Sequence, residues 1–453
     1  MVISVGPAGK LLLPVTPSTA PVVRKDNWTA NQLGKDDRAV HDWYRFVLSF
    51  PPHLVRRYAE KFGLGRTSVV LDPFCGTGTT LVECRKLGIP SIGVEAHPMT
   101  CFSAQVKLDW RPDPTELVAH AKRIAELANR RITRQGVPDS RLTQPEKPRL
   151  ASSLRALSPE QQKLLLANSI SPKPLHKALV LLDTIRELRD DRFYEHELLS
   201  LAKTLVYSSS NLVFGPEVGV ERPKRDAPVV APWLSGVQII ARDLRVVQTL
   251  PETTSTVYRA DSRDLSGILV PGSITGILTS PPYPNEKDYT RTTRLESVLL
   301  GFITNRDELQ EVKRGLVRSN TRGIYKADDD DRWVADHPEI QRIATSIEER
   351  RVQLGKTSGF ERMYHRAAKL YFGGMARHLA NLRAVLAPNA SLAYVVGDQA
   401  SYLRVMIRTG SLIADLAQAL GYEVIGIDLF RTRLATATKE QLREEVVLLR
   451  WPG

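Results

Sequence analysis

The chain has 453 residues, enough for about three domains. Its 42% apolar and 25% charged residues are ordinary globular usage, which excludes wholesale disorder, collagen-like chains and disulfide scaffolds. Lys plus Arg number 63 against 50 Asp plus Glu, a net charge of +13, so a polyanion such as nucleic acid is the first partner to look for.

No apolar run approaches the roughly 18 residues of a membrane helix, and residues 11–15 are too short for a signal peptide. No membrane partner is expected, and a cytoplasmic location is the default. Cys75, Cys84 and Cys101 form no Cys-x-x-Cys pair and the histidines are scattered, so no metal site is expected.

Residues 1–36 carry Pro7, Pro14, Pro17 and Pro21 and read as an irregular arm. An aromatic stretch follows at 41–52. A helix is predicted over 52–62, a short buried strand over 68–71, a helix reaching Leu87 with Gly88 at its C′ position, and a second strand over 91–94. Strand, tight turn, helix and strand make a βαβ unit and predict a parallel sheet. His97-Pro98 reads as a simple turn, with the border of an adenine pocket as the alternative.

Asp113-Pro114-Thr115-Glu116 is a helix start: a cap residue, a proline at N1 and a glutamate at N3. Leu117, Ala121, Ile124 and Ala128 fall on one face of that helix. Ser158-Pro159-Glu160-Gln161 is a second start of the same kind. Further helices are predicted within 175–207, and 215–232 is turn-rich with the basic group Arg222, Lys224 and Arg225. Strands resume at 256–259 and 274–278. The stretch 290–360 is polar, and the carboxylates at 328–331 read as a solvated loop. A helix over 364–386, a strand over 391–396, a helix ending near Gly421 and strands over 424–430 and 445–451 complete the chain. One α/β domain with two insertions explains this alternation better than three domains in series.

The loop Asp72-Pro73-Phe74-Cys75-Gly76-Thr77-Gly78-Thr79-Thr80 lies where a parallel strand hands over to a helix, the edge at which such sheets bind ligands. Gly76 and Gly78 allow a tight turn and close backbone approach. Thr79 and Thr80 stand at the helix start, where hydroxyls and free N–H groups can hold a carboxylate. Glu95 ends the next strand, placed to accept hydrogen bonds from ribose hydroxyls. Leu81 replaces the third glycine of the dinucleotide fingerprint, and no lysine precedes the threonines as a phosphate loop requires. An amino-acid-bearing nucleoside such as S-adenosylmethionine fits better.

Thr279-Ser280-Pro281-Pro282-Tyr283 follows the apolar strand ending at Leu278. Two prolines stiffen the loop and remove two N–H groups. The Ser280 hydroxyl and the Pro281 carbonyl offer neighbouring acceptors, and Tyr283 offers a flat face. That set suits a planar amine stacked on the ring, its hydrogens taken up and its nitrogen lone pair freed. A nucleobase in a duplex must leave the stack to reach such a site. Asp261 ends the intervening strand, where it can accept from an adenine amine or turn a surface loop. Alone, a Gly-x-Gly turn or a Pro-Pro-Tyr turn is more often plain structure; the pairing carries the functional reading.

Residues 72–80 and 279–283 together resemble the cofactor and catalytic motifs of bacterial DNA methyltransferases acting on exocyclic amino groups, the cytosine-N4 and adenine-N6 enzymes of restriction–modification type. The stretch from Trp43 to Pro51 is loosely similar to that family's flanking segment over the methionine, which brings in Phe50 and Pro51 as cofactor contacts. Glu95 and Asp261 fall where the family contacts ribose and adenine. The resemblance implies a Rossmann-like methyltransferase sheet, mostly parallel with an antiparallel C-terminal strand pair, plus a mainly helical insertion. It implies S-adenosylmethionine as methyl donor, no metal, and Ser280, Pro281, Pro282 and Tyr283 as the catalytic loop. Serine at the first position of that loop leans towards cytosine N4.

On this basis the chain divides into an arm (1–36), a first catalytic part with the cofactor loop (37–110), a mainly helical insertion favoured for reading double-stranded DNA (111–252), a second catalytic part (253–295), a polar insertion that is the alternative DNA reader (296–360) and a third catalytic part (361–453). Asn285, Asp288 and Tyr289 stand where they would contact a flipped base, Arg291 a phosphate, and Arg222, Lys224 and Arg225 the duplex. Adenine N6 is the first alternative target. An RNA guanine-N2 methyltransferase and a non-catalytic nucleic-acid-binding protein on the same fold are further ones. A cognate restriction endonuclease, and monomer against homodimer, stay open.

Overall fold

The computed structural model describes residues 33–34, 36–46, 49–139, 154–214, 218–434 and 440–453. The expected arm over 1–36 thus lies almost wholly outside the described residues, as do Val47 and Leu48 of the aromatic stretch.

The described residues form nine strands: β1 Val70–Asp72, β2 Ser91–Val94, β3 Leu212–Phe214, β4 Val218–Val220, β5 Ser255–Tyr258, β6 Ile274–Thr279, β7 Leu386–Gly397, β8 Glu423–Leu434 and β9 Gln441–Trp451. Seven form one sheet in the order β5-β2-β1-β6-β7-β9-β8, and β3 and β4 make a separate antiparallel ribbon. Neighbours from β5 through β7 run parallel, whereas β9 runs antiparallel to both β7 and β8. This is the mixed sheet of a methyltransferase fold, with its antiparallel C-terminal pair.

The central strands are short and apolar because both their faces are covered. Val70, Leu278, Ala393 and Val446 face the helix Pro52–Lys61 through Leu54, Val55 and Tyr58. Leu71, Ile277, Leu392 and Tyr394 face the helices Tyr364–Leu382 and Thr409–Ala419. The chain leaves β1 towards β2 and returns to β6 on the other side of β1. That reversal places the loops after β1 and β6 side by side at a topological switch point.

The helix Thr79–Lys86 ends as the sequence predicts, with Gly88 at φ 73°. His97-Pro98 is not a simple turn. It starts the helix Pro98–Leu108, with His97 Nδ1 accepting from the Met99 N–H at 3.2 Å and the proline at N1.

Helices Pro114–Arg134, Pro159–Leu164, Pro172–Glu187, Tyr194–Thr204 and Val230–Val247 form the helical insertion. Asp113 caps the first through the Thr115 and Glu116 N–H groups, and Ser158 with Gln161 makes a full capping box on the second. Leu117, Ala121, Ile124 and Ala128 are all fully buried, on the predicted face. The turn-rich reading of 215–232 fails at its end. Pro232 stands in the first turn of the helix Val230–Val247, where no intrahelical N–H is needed. The insertion shares one core with Trp43, Val82 and Met99.

The carboxylates at 328–331 are not a solvated loop. Asp330 is 4% exposed and pairs with Arg263 at 2.6 Å and Arg377 at 3.2 Å, and Asp328 pairs with Arg318 at 2.7 Å. Guanidinium groups from three other places hold Asp328 and Asp330, while Asp329 stays exposed and pairs with Arg332. Among the described residues no helix is long and apolar enough to cross a membrane.

Candidate active site

At the end of β1 the Asp72 carboxylate is fully buried. It accepts from Thr80 Oγ1 and Thr279 Oγ1, each at 2.6 Å, and from the Phe74 N–H at 3.1 Å. Burial pushes its pKa up to about 6 against the pull of these donors. One side chain therefore ties the cofactor loop to the strand that carries the catalytic loop. Asp72 does not line the cavity above it, nor do Gly78 and Thr80.

The cavity, of about 790 Å³, lies over the carboxyl ends of β1 and β6. Pro73, Phe74, Cys75, Gly76 and Thr79 form its floor. Gly76 and Gly78 take left-handed φ values of 53° and 86°. At Gly78 a Cβ would lie 3.1 Å from that of Ala104, so both the backbone and the space there require glycine. Glu95 lines the cavity from β2; its Oε2 accepts from the Gly76 N–H at 2.9 Å and its Oε1 from the His97 N–H at 2.7 Å. Burial pushes Glu95 up to about 7, opposed by those two N–H groups. Phe50 and Pro51 close the cavity from the N-terminal side.

Ser280, Pro281, Pro282 and Tyr283 all line the same cavity. The Ser280 hydroxyl donates to the Val395 carbonyl at 3.1 Å. The Tyr283 N–H donates to the Tyr289 hydroxyl at 3.4 Å, and Tyr289 packs against Phe46 with ring centroids 5.9 Å apart. Asn285, Asp288 and Tyr289 also line it. Asp288 caps the short helix Tyr289–Thr292 and pairs with Lys313 Nζ at 2.9 Å.

Besides Asp72, Gly78 and Thr80, five sequence-predicted residues lie outside the lining. The Asp261 carboxylate does not line the cavity; it is engaged by Arg263 Nε at 3.0 Å and Nη2 at 2.6 Å, and Arg263 also holds Asp330. Its neighbour Ser262 lines the cavity instead. Arg222, Lys224 and Arg225 are exposed beside the β3–β4 ribbon, away from the lining. The ribbon nonetheless connects to the mouth: Phe214 packs on Tyr207, and the Tyr207 hydroxyl donates to the Arg45 carbonyl next to Phe46. Arg291 is outside the lining as well.

Sequence reasoning missed a whole wall. Lys313, Ser319 and Asn320 come from the second insertion, and Arg431 and Glu444 from β8 and β9. Neither stretch carries a local pattern that announces a site.

The left-handed glycine turn, the start of the helix Thr79–Lys86 and Glu95 suit a nucleoside bearing an amino acid, with hydroxyls for the carboxylate and N–H groups for the anion. Residues 18–105 match a sequence profile of the N6/N4 type described as DNA methylase. The chain is 24% identical over 446 residues to the type II methyltransferase M.BsoBI of Geobacillus stearothermophilus, covering 91% of this chain and 84% of that protein. It is 24% identical over 443 residues to the type II methyltransferase M.AvaI of Nostoc sp., covering 90% and 86%. A 70-residue segment, 15% of this chain and 13% of the relative, is 41% identical to the type II methyltransferase M.MjaII of Methanocaldococcus jannaschii. With two motif loops meeting over one cavity, the chain is similar over most of its length to type II DNA methyltransferases and over residues 18–105 to the exocyclic-amino (N6/N4) DNA methylases, a likeness that supports S-adenosylmethionine as methyl donor.

Proposed function

We propose that the protein is a sequence-specific methyltransferase of type II that modifies the exocyclic N4 of cytosine in double-stranded DNA, on a base turned out of the helix. One observation carries the choice of an amine: Ser280 spends its hydroxyl hydrogen on the Val395 carbonyl. Its oxygen, which also meets the Tyr283 phenol, is then turned towards the cavity as an acceptor for an amine hydrogen. The Pro281 carbonyl is the second acceptor, and Tyr283 supports the ring. Drawing on both hydrogens localises the nitrogen lone pair for attack without a strong base. Bound S-adenosylmethionine supplies an electrophilic sulfonium methyl. The amine nitrogen would form the new N–C bond as the donor's S–CH3 bond breaks, leaving the neutral thioether S-adenosylhomocysteine, and would then lose one hydrogen as a proton to solvent water at the cavity mouth.

Tyr283 is not that proton's acceptor by ionisation, because burial, with Glu444 nearby, pushes its phenol well above the usual range. The donor's carboxylate is assigned to the start of the helix Thr79–Lys86, its ribose to Glu95 and its methionine to Phe50 and Pro51. Ser262 is better placed than Asp261 at the purine end. Asn285 and Tyr289 are assigned to the flipped base. The ribbon and its basic group Arg222, Lys224 and Arg225 are assigned to the duplex, since a two-stranded ribbon fits the major groove.

Plasmid DNA incubated with labelled cofactor, digested to nucleosides and analysed by mass spectrometry tests the reading. N4-methylcytosine is expected. N6-methyladenine alone would move the target to adenine. Label in cellular RNA but not in DNA would replace DNA as the substrate.

A further inference from the structure

An ion pair from the C-terminal strands forms the cavity wall beside Tyr283. Arg431 on β8 faces Glu444 on β9 across the antiparallel register. Arg431 Nε donates to Glu444 Oε2 at 2.6 Å and Nη2 to Oε1 at 2.8 Å, a bidentate fork. The two side chains are only 14% and 11% exposed, and both line the cavity. Gly397 shows how close they stand to the catalytic ring. A Cβ there would lie 3.0 Å from Tyr283 Cε2 and 3.3 Å from Glu444 Cγ. Glu444 holds the guanidinium by one edge. Nη1, with two N–H groups, has no acceptor among the described residues.

We infer that Arg431 reads the acceptor edge of the flipped base and so selects cytosine. Next to its amine, cytosine carries two neighbouring acceptors, N3 and O2. Adenine carries N1 beside a C–H. A guanidinium with two N–H groups in one rigid plane satisfies both acceptors of cytosine and only one of adenine. Glu444 is the positioning residue that fixes the plane. Ser280 and Pro281 take the amine, Tyr283 takes the face of the ring, and Arg431 takes the remaining polar edge. This rests on the cytosine reading above.

The test starts from the methylated position in plasmid DNA, located by single-base methylation sequencing. Two synthetic duplexes are then compared, one with cytosine at that position and one with 3-deazacytosine, which keeps the amine and O2 but has C–H in place of N3. The wild-type rate is expected to fall by roughly tenfold or more on the analogue, the worth of one well-formed bidentate contact. Arg431→Gln should be slow on both and differ by less than about twofold between them. The analogue's altered amine affects both enzymes alike, so the ratio of ratios reports the contact.

Arg431→Lys keeps the charge and loses the fork, and should behave as the glutamine variant does. Titration with S-adenosylmethionine should give wild-type affinity for both variants. If Arg431→Gln fails to bind cofactor, the lysine variant carries the comparison. Equal analogue ratios in wild type and variant overturn the assignment and reduce Arg431 to a phosphate contact or a strand tie. Wild-type plasmid carrying only N6-methyladenine sinks the cytosine reading itself, whatever Arg431 does.

Discussion

In the proposed reaction Ser280 and Glu95 each act through hydrogen bonds that a single substitution removes. Ser280→Ala removes one of two oriented acceptors and should lower kcat by about 10²-fold, the usual cost of losing one preorganised polar group. Cofactor affinity should be unchanged. Tyr283→Phe keeps the stacking face and should stay within about tenfold of wild type, whereas Tyr283→Ala should lose transfer and still bind cofactor. Labelled-methyl transfer and cofactor titration on the same three proteins separate these effects; a Tyr283→Ala enzyme at full rate removes the ring from the reaction. Glu95 gives a pH dependence of definite sign. Burial pushes its pKa up to about 7. Two ribose hydroxyls would favour its ionised form, so binding releases a proton below that pH. Affinity for S-adenosylmethionine should rise as pH increases from 6 to 7, by at most about tenfold per unit, and flatten above. Glu95→Gln should bind more weakly and without this slope. Calorimetric titration across pH 6 to 8 measures both, and a flat wild-type profile would detach Glu95 from the ribose.

Among the elements, the helix Tyr364–Leu382 and the segment Asp330–Val334 meet with no room for a side chain. A Cβ on Gly373 would lie 1.9 Å from the Asp330 carbonyl oxygen, 2.5 Å from its carbon and 3.0 Å from the Asp331 nitrogen. All three are backbone atoms and cannot rotate away. Gly373→Ala should therefore cost about 3 kcal/mol, the upper end for an overpacked core. Denaturant unfolding would show it, and an alanine variant of wild-type stability would mean that the segment docks differently. This contact also explains what the sequence concealed. Helix starts written in adjacent residues, such as Asp113-Pro114 and Ser158-Pro159, were legible, as were the buried strands around the two motif loops. The helix Pro98–Leu108 was missed because histidine is an uncommon cap, and the helix Val230–Val247 because its first N–H groups are held by Asp139, far back in the chain, and its first turn contains Pro232. The carboxylates at 328–331 misled because their guanidinium partners are Arg263, Arg318 and Arg377. The same non-locality hid Lys313 and Arg431 from the site.

For the molecule as a whole, the sheet order joins two loops more than 190 residues apart in the chain. The excess of positive charge then has to bring a duplex to the cavity they share. The net charge of +13 alone does not say where the duplex lies. Many arginines are already committed: Arg263, Arg318 and Arg431 each hold a carboxylate. Arg222, Lys224 and Arg225 are exposed, and the ribbon beside them reaches the cavity mouth through Phe214, Tyr207 and Arg45. If these three cations hold phosphates, each releases a condensed counterion on binding and steepens the dependence of affinity on salt by about 0.9 in the log–log slope. Replacing all three with alanine should then flatten that slope by about 2 to 3 and weaken binding to cognate and non-cognate duplexes alike, because phosphates carry no sequence. Fluorescence anisotropy with a labelled duplex at several salt concentrations measures the slope directly. Cofactor affinity is the internal control, since none of the three residues lines the cavity. A triple variant with the wild-type slope would move the duplex off the ribbon face and turn attention to the second insertion.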